Sequence, residues 1–119
     1  MLFDPQKWVM PEIPEAEPEN EPWRKLLLDA ANLIERKGWC RNDLQSHGRY
    51  CTVGALLKVS GTSIRDYNEG GSAPDLVGKA EAKIMAHLGY DNYDCVPDWN
   101  DKQKRGKVVI ETLRKIATS

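Results

Sequence analysis

Apolar residues recur every three or four positions in several stretches of this chain, and glycines end those stretches. The longest stretch is PWRKLLLDAANLIERKG, which has Pro22 near its start and Gly38 at its end. Its apolar stripe consists of Trp23, Leu27, Ala30 and Ile34. This period is typical of one face of an α-helix, proline is favoured in the first turn, and glycine supplies the left-handed residue that commonly ends a helix. The spacing therefore predicts an amphipathic helix between Pro22 and Gly38.

Three further stretches show a similar pattern. The run YCTVGALLKVSG predicts a shorter, buried helix that ends at Gly61. The other two stripes consist of Val77, Ala80, Ile84 and Leu88, and of Val109, Leu113 and Ile116. Gly54 lies inside the short run, where glycine costs roughly 1 kcal/mol relative to alanine. We therefore expect another backbone segment to approach the helix closely at this turn. Ser72 is a candidate N-cap for the helix that begins before Val77.

The fold class follows from these helices. A chain of 119 residues has the size of one ordinary domain. The stretches between the helices are rich in polar residues and glycine, and none of them alternates for long as an exposed strand would. We expect a mainly α, single compact domain of about four helices with long irregular connections. The sequence also allows a short strand pair that involves either Ile64 and Tyr67 or Cys95 and Val96.

The first 21 residues differ from the rest of the chain in charge and in proline content. Six acidic residues and one base give residues 1–21 a charge of −5, whereas residues 22–119 carry +4. The prolines of PEIPEAEPENEP exclude a sustained helix or sheet and favour an extended arm. The arm also holds large apolar residues, namely Phe3, Trp8, Val9, Met10 and Ile13. We expect an acidic arm over residues 1–21 and a helical domain over 22–119. The arm is either a solvated tail or a segment that docks on the domain or on a partner.

The apolar runs and the cysteines of the chain indicate its cellular compartment and its metal content. No apolar run reaches the roughly 18 residues of a membrane span, and the N-terminus does not resemble a signal peptide. Three cysteines, Cys40, Cys51 and Cys95, do not form a disulfide framework, so we expect reduced thiols and a cytoplasmic protein. Together with His47 and His87 they lack the paired spacing of zinc ligands, so we expect neither a metal nor a cofactor.

Three motifs of this chain also carry a family resemblance. IERKGW, GRYCTVGAL and DWNDKQKRGKVVIETLRKI together resemble an uncharacterised family of small actinobacterial and bacteriophage proteins. The resemblance covers about residues 24–117 and leaves the arm outside. It implies a compact helical fold and a bacterial or phage origin, and it transfers no activity. The chain departs from the family pattern at Gly106, where the family has a threonine N-cap, and glycine is only slightly poorer in that role.

Cys51 is the residue whose side chain is the candidate nucleophile of this chain. A nucleophilic cysteine needs a lowered pKa, a base such as His47 or His87, and a third group such as Asn100 or Asp101 to orient the base. Those residue types are present, but no further local signature accompanies them. Free cysteine is among the most buried residue types, so we expect Cys51 to be a core residue rather than a catalytic one.

The DWND motif predicts a fastened loop. Asp98, Asn100 and Asp101 are suited to accept hydrogen bonds from backbone N–H groups, with Trp99 anchored in the core. A cation site at the two aspartates is the alternative, although the spacing of a calcium loop is missing. We also expect Trp23, Trp39 and Trp99 to be largely buried, and Trp8 to be exposed unless the arm is docked.

Four basic residues crowd the predicted start of the last helix: Lys102, Lys104, Arg105 and Lys107. The helix dipole favours anions at this position, so the cluster either binds an anion or is a solvated charged loop. A phosphate, carboxylates of a partner protein, or the acidic arm itself are the candidate ligands, with Gly106 allowing close approach. Nucleic acid is disfavoured, because a charge of +4 and an overall pI of about 6.1 lack the dense basic face of a duplex binder.

These observations favour one function class over two others. We expect a non-enzymatic binding or accessory protein, encoded by a phage or a bacterium. The alternatives are a nucleotide or phosphate binder that uses the basic start of the last helix, and a cysteine-dependent hydrolase that uses Cys51.

Overall fold

The computed structural model describes residues 21–119, which form one mainly helical globule. Its elements, in chain order, are α1 (Pro22–Lys37), β1 (Gln45–Ser46), β2 (Arg49–Tyr50), α2 (Thr52–Val59), α3 (Ile64–Asn68), α4 (Asp75–Leu88), α5 (Val96–Lys102) and α6 (Gly106–Thr118). The acidic arm predicted for residues 1–21 and the prediction for Trp8 lie outside the described residues, except for Glu21. No helix in the described range is long and apolar enough to cross a membrane.

The first helix forms as its pattern predicts. Glu21 is the N-cap in an extended conformation, and Pro22 follows as the first helical residue. The whole predicted stripe, Trp23, Leu27, Ala30 and Ile34, is buried. Gly38, with a φ of +108°, ends the helix and donates its N–H to the Ile34 carbonyl oxygen at 2.7 Å. A side chain would be strained at this φ, which explains the glycine.

The last helix runs antiparallel to the first and packs against it more extensively than any other pair of elements. Its predicted stripe of Val109, Leu113 and Ile116 is buried. At one end of the pair, the Arg24 guanidinium donates to the Ala117 carbonyl oxygen at 3.0 Å, and at the other end Gly106 lies against Trp39. The contact between α1 and α6 therefore extends from one end of the helix pair to the other, and we call it the α1–α6 seam.

The short helix α2 lies in the centre of the molecule, and Thr52 to Leu57 are all buried. A Cβ at Gly54 would collide with the backbone carbonyl group of Leu44, which in turn accepts the Cys51 N–H at 3.2 Å. The predicted close approach of another backbone at Gly54 is thus confirmed.

The helix count differs from the expected four, because the described residues contain six. The two additional helices, α3 and α5, are five and seven residues long and lie inside the stretches that we expected to be irregular. A helix of two turns or fewer shows too little periodicity to be recognised. Helix α4 also begins later than expected, at Asp75, with Pro74 rather than Ser72 in the cap position.

The strand pair forms at a different place from either expected one. Ile64 and Tyr67 lie in α3, and Cys95 and Val96 lie at the start of α5, so both expectations are wrong. The antiparallel pair joins Gln45–Ser46 to Arg49–Tyr50 instead. His47 and Gly48 form its two-residue turn with φ values of +53° and +78°, as the favoured hairpin turn with two positive φ angles requires.

Two of the three tryptophans predicted to be buried meet that prediction. Trp23 and Trp99 are 4% and 3% exposed, whereas Trp39 is only half-buried at the edge of the core. Trp39 follows the C-terminal glycine of α1, pairs in parallel with Tyr50, and faces the seam between α1 and α6.

Candidate functional site

Cys51 is the N-cap of α2, and its sulfur faces the protein interior. The residue is 4% exposed, and its Sγ accepts the Gly54 N–H at 3.3 Å. Burial raises the pKa of the thiol to about 11, although the Gly54 hydrogen bond acts in the opposite direction. The predicted burial of Cys51 is confirmed, and the thiol lacks the lowered pKa that a nucleophile needs.

The histidines do not assemble a catalytic pair with this cysteine. His47 lies in the hairpin turn, where its Nδ1 is 3.0 Å from the Ser46 hydroxyl, and His87 is exposed in the last turn of α4. Among residues 21–119 neither imidazole is hydrogen-bonded to the Cys51 sulfur. In the same range no three histidine, cysteine, aspartate or glutamate side chains are grouped so that they could hold a metal ion.

Asn100 is the centre of a buried hydrogen-bond network. It is fully buried, and its Oδ1 accepts from the Thr52 N–H at 3.0 Å, the Thr52 hydroxyl at 2.7 Å and the Trp39 Nε1 at 2.8 Å. Its Nδ2 donates to the Cys40 carbonyl oxygen at 3.2 Å and to Asp101 Oδ1 at 3.1 Å. The side chain therefore caps the free N–H at the start of α2 and fixes the position of Trp39.

The two aspartates of DWND accept backbone hydrogen bonds. Asp101 Oδ1 accepts the Asn42 N–H at 2.9 Å, which ties the loop after α1 to α5. Asp98 accepts the Asp94 N–H at 3.1 Å and pairs with Lys102 at 3.2 Å, and these contacts lower the pKa of its carboxyl group. Both aspartates therefore hold a neighbouring loop in place by accepting a hydrogen bond from its backbone.

The four basic residues of the predicted anion cluster are divided between the end of α5, the connection that follows it and the start of α6. Lys102 belongs to α5, where it pairs with Asp98 and lies 5.7 Å from the centre of the Tyr93 ring. Lys104, Arg105 and Lys107 are exposed, and Arg105 is the N-cap of α6 without a side-chain cap.

Gly106 has a different role from the expected one. It is the first residue of α6 rather than its N-cap, which is Arg105. A Cβ at this position would lie 2.6 Å from the Cβ of Trp39. Trp39 therefore occupies the space beside the Cα of Gly106. The anion site expected at the start of α6 stays a prediction.

A groove of about 480 Å³ lies along the seam of α1 and α6. Its lining consists of Ile34, Glu35, Gly38, Trp39, Gly106, Lys107, Ile110, Glu111 and Arg114. Apolar side chains from both helices form its floor. Charged side chains form its rim, so the groove offers an apolar surface between polar edges, as ligand grooves commonly do.

One pair on the rim is internally neutralised. The Arg114 guanidinium donates to Glu35 Oε1 at 2.7 Å and to Asn32 Oδ1 at 2.8 Å. This contact lowers the pKa of Glu35 and raises that of Arg114. Both side chains are therefore ionised at neutral pH, and their opposite charges largely cancel each other.

The end of the groove at Trp39 is basic. The Arg41 guanidinium carbon lies 5.8 Å from the centre of the Trp39 ring, and this side chain donates to the Gln103 carbonyl oxygen. The Arg49 side chain covers Gly38, since a Cβ there would lie 2.9 Å from the Arg49 Cγ. Lys107 lines the groove itself. Three segments of the chain thus bring cations around one half-buried tryptophan; we call Trp39, Arg41, Arg49 and Lys107 the Trp39 cluster.

One protein family matches the chain over all of the described residues. The model of one family, described as a family of unknown function (DUF6197), matches residues 18–119. The chain belongs to DUF6197. The match includes every element of the fold and the whole range of about residues 24–117 expected from the three motifs. Searches of the curated proteins and of the solved structures found no match.

Arg41 and Arg49 of this DUF6197 chain lie beside the Trp39 end of the groove, against Trp39 and Gly38, and are the residues of the site that sequence reasoning missed. They lie in the loop and the hairpin between α1 and α2, far in sequence from Lys107. A local signal was present only in the basic residues beside the Gly-Trp pair, in RKGWCR. The hairpin that brings Arg49 back to Gly38 was not foreseen.

The thiols of the DUF6197 chain should differ sharply in reactivity. Cys95 is exposed, whereas Cys51 is buried with a pKa of about 11, so its thiolate is scarce at neutral pH. We expect iodoacetamide at neutral pH to label Cys95 rapidly and to leave Cys51 unmodified in the folded protein. Peptide mass spectrometry measures both sites, and labelling in urea, where all three thiols react, is the control. Selective early labelling of Cys51 would contradict its assignment as a core residue.

Proposed function

We propose that this chain is a non-catalytic binding protein that holds an acidic, proline-containing segment of a partner protein in the α1–α6 groove. The observation that carries the proposal is the Trp39 cluster, a half-buried aromatic ring at an open groove with cations around it. In this proposal the protein acts in the cytoplasm as an accessory protein of a bacteriophage or an actinobacterium. Its free thiols, Cys40, Cys51 and Cys95, are suited to a reducing compartment.

The apolar floor supports an extended peptide as the ligand. Trp39 and Ile110 are both half-buried, and both line the groove. Grooves lined by aromatic residues commonly hold proline-rich segments, which lose little conformational entropy on binding because they are already extended.

The polar contacts of Trp39 define how such a ligand is recognised. The indole N–H already donates to Asn100, so the ring offers a ligand its surface and no hydrogen-bond donor. Polar recognition therefore depends on Arg41, Arg49 and Lys107, all of which carry positive charge. These cations favour glutamate or aspartate next to the residue that contacts the ring.

The site is also held in place before a ligand arrives. Asn100 fixes the indole N–H, Gly106 lets α6 contact the Trp39 Cβ, and the Glu35–Arg114 pair joins α1 to α6 at the other end of the groove. A preformed groove loses less free energy on binding than one that must be ordered by its ligand.

A titration of the full-length ¹⁵N-labelled protein tests the proposal. We expect a synthetic peptide of repeated Pro-Glu-Ala to shift the amide signals of Gly106, Lys107 and Ile110, and the matched Pro-Lys-Ala peptide to leave them in place. The affinity should fall as salt is raised, because screening weakens exposed charge pairs.

Charge reversal on α6 provides a matched pair of variants. Lys107→Glu removes a cation of the groove and should weaken peptide binding about fivefold, equivalent to ~1 kcal/mol. Lys115→Glu makes the same change at an exposed position outside the groove and should alter affinity by less than about twofold. Equal effects of the two variants would show that the peptide responds only to net charge.

The same titration separates the competing ligand classes. Inorganic phosphate and a short oligonucleotide are added at two salt concentrations. If either one shifts Lys104, Arg105 and Lys107 while the acidic peptide does not, the basic start of α6 is an anion or nucleic-acid site and the peptide proposal fails.

A further inference from the structure

We infer that the N-terminal arm of this chain, residues 1–20, is itself a ligand of the α1–α6 groove and competes there with the partner segment. The inference rests on the proposed function, since it gives the same groove an occupant from the same chain. Its basis is the charge of the arm, its proline pattern and the position at which it joins the domain.

The arm matches the chemistry of the Trp39 cluster. Residues 1–21 carry six acids and one base, while the domain that follows carries +4. The segment PEIPEAEPENEP interleaves glutamates with prolines. Bound as a polyproline II helix, with three residues per turn, Pro11 and Pro14 would share one edge and Glu12 and Glu15 the next. One edge then fits the surface formed by Trp39 and Ile110, and the other fits the surrounding cations.

The chain length permits this contact within one molecule. Helix α1 has 16 residues, so it is about 24 Å long, and the groove lies at its C-terminal end. About eight residues in a polyproline II conformation cover the same distance at roughly 3.1 Å per residue. A segment that leaves α1 at Glu21 and runs back along the seam therefore brings Ile13 and Pro14 to the groove.

Cations near the start of α1 provide a weaker alternative site. Arg24 and Lys83 both lie over the Trp23 ring, at 4.4 Å and 4.9 Å from its centre. Trp23 is buried, however, and the Arg24 guanidinium already donates to the Ala117 and Ser119 carbonyl oxygens. This end offers charge without an open apolar surface, whereas the groove offers both.

Occupation by the arm has a measurable consequence for partner binding. A tethered segment acts at an effective concentration of about 1 mM. If the arm segment binds the groove with an intrinsic Kd of about 100 μM, this competition weakens the observed affinity of a partner peptide about tenfold.

Cross-linking of the native full-length protein tests the contact directly. A carbodiimide joins a carboxylate to a lysine amine when the two are in contact. We expect mass spectrometry to find amide links from the glutamates of residues 12–19 to Lys107, the lysine that lines the groove. Links to Lys58 and Lys115, which are exposed outside the groove, should be at least about tenfold rarer. Links distributed evenly over these lysines, or none from the arm, would overturn the inference.

A competition experiment then distinguishes this inference from the proposed function. In the full-length variant the four arm glutamates become glutamine: Glu12, Glu15, Glu17 and Glu19. A control variant removes four exposed acids from the domain by the same kind of change: Asp66, Glu69, Asp91 and Asp94. We expect the arm variant to bind the Pro-Glu-Ala peptide about tenfold more tightly than the parent, and the control variant to bind within about twofold of it.

Each remaining outcome has one meaning. If parent and arm variant bind the peptide equally, the groove binds acidic peptides and the arm does not occupy it. If neither binds but the arm still cross-links to Lys107, the arm is the ligand and the partner segment is rejected. If neither binding nor cross-linking occurs, both proposals fail.

Discussion

Asn100→Ala is expected to lower the free energy of unfolding by about 3 to 5 kcal/mol, one of the largest losses that a single side chain of this protein should cause. The substitution removes the acceptor of three donors: the Thr52 N–H, the Thr52 hydroxyl and the Trp39 indole N–H. The two Thr52 groups are buried, and a buried donor without a partner costs about 1 to 3 kcal/mol. Urea unfolding followed by circular dichroism measures the loss.

Two variants place this effect on a scale. Asn92→Ala removes an exposed amide that donates to the Leu88 carbonyl oxygen at 2.9 Å, and should cost less than about 1 kcal/mol. Thr52→Val removes only the Thr52 hydroxyl, one of the three donors to Asn100, and leaves the rest of the network in place. Its loss in the free energy of unfolding should fall between those of Asn92→Ala and Asn100→Ala. A loss below about 1 kcal/mol for Asn100→Ala would contradict the network as the fastener of α2.

The network also connects stability to the groove. Asn100 holds the indole N–H, so Trp39 loses its polar anchor in Asn100→Ala. A variant that is still folded should therefore bind the acidic peptide more weakly, even though Asn100 does not line the groove. The residue is a positioning residue in this respect.

The long helices could be predicted from sequence because their signals are local. The stripe from Trp23 to Ile34 and the glycine at position 38 lie within one stretch, and both behave as expected. The burial of Cys51 also follows from its neighbours, since the helix from Thr52 to Val59 is apolar on nearly every side.

Other parts of the structure depend on contacts between distant segments. Asn100 meets Thr52 across 48 positions and Trp39 across 61, and no local pattern indicates which donors one amide oxygen will accept. The hairpin was missed because its turn is His47–Gly48, whereas Asn-Gly or Asp-Gly is the usual sequence signal of a turn with two positive φ angles. Arg49 reaches Gly38 through that hairpin, so the basic character of the groove was missed with it.

Gly106 shows how one residue supports two interpretations. From sequence, a glycine among four cations indicated space for an anion at the start of a helix. In the structure the same absence of a side chain lets Trp39 pack against α6. The glycine thus positions the aromatic ring of the groove, and the cations act around that ring.

Gly54→Ala should have an effect as large as the loss of Asn100, with a different physical cause. Glycine to alanine inside a helix normally stabilises a protein by about 0.5 to 1 kcal/mol. At Gly54, however, the added methyl group would overlap the backbone carbonyl of Leu44, which cannot rotate away as a flexible side chain would. Either the Leu44 loop must shift, with loss of its hydrogen bond from the Cys51 N–H, or α2 must leave the core. We expect a net loss of about 3 to 5 kcal/mol.

Gly78→Ala is the matched control for this prediction. Gly78 lies inside helix α4, and a Cβ there would meet nothing within 4 Å. The same substitution should therefore raise the free energy of unfolding by about 0.5 to 1 kcal/mol, because only the helix propensity changes. Thermal and urea unfolding of the two variants should show shifts of opposite sign. If both variants were stabilised, the close approach of Leu44 to α2 would be wrong, and with it the position of the loop that carries Arg41 to the groove.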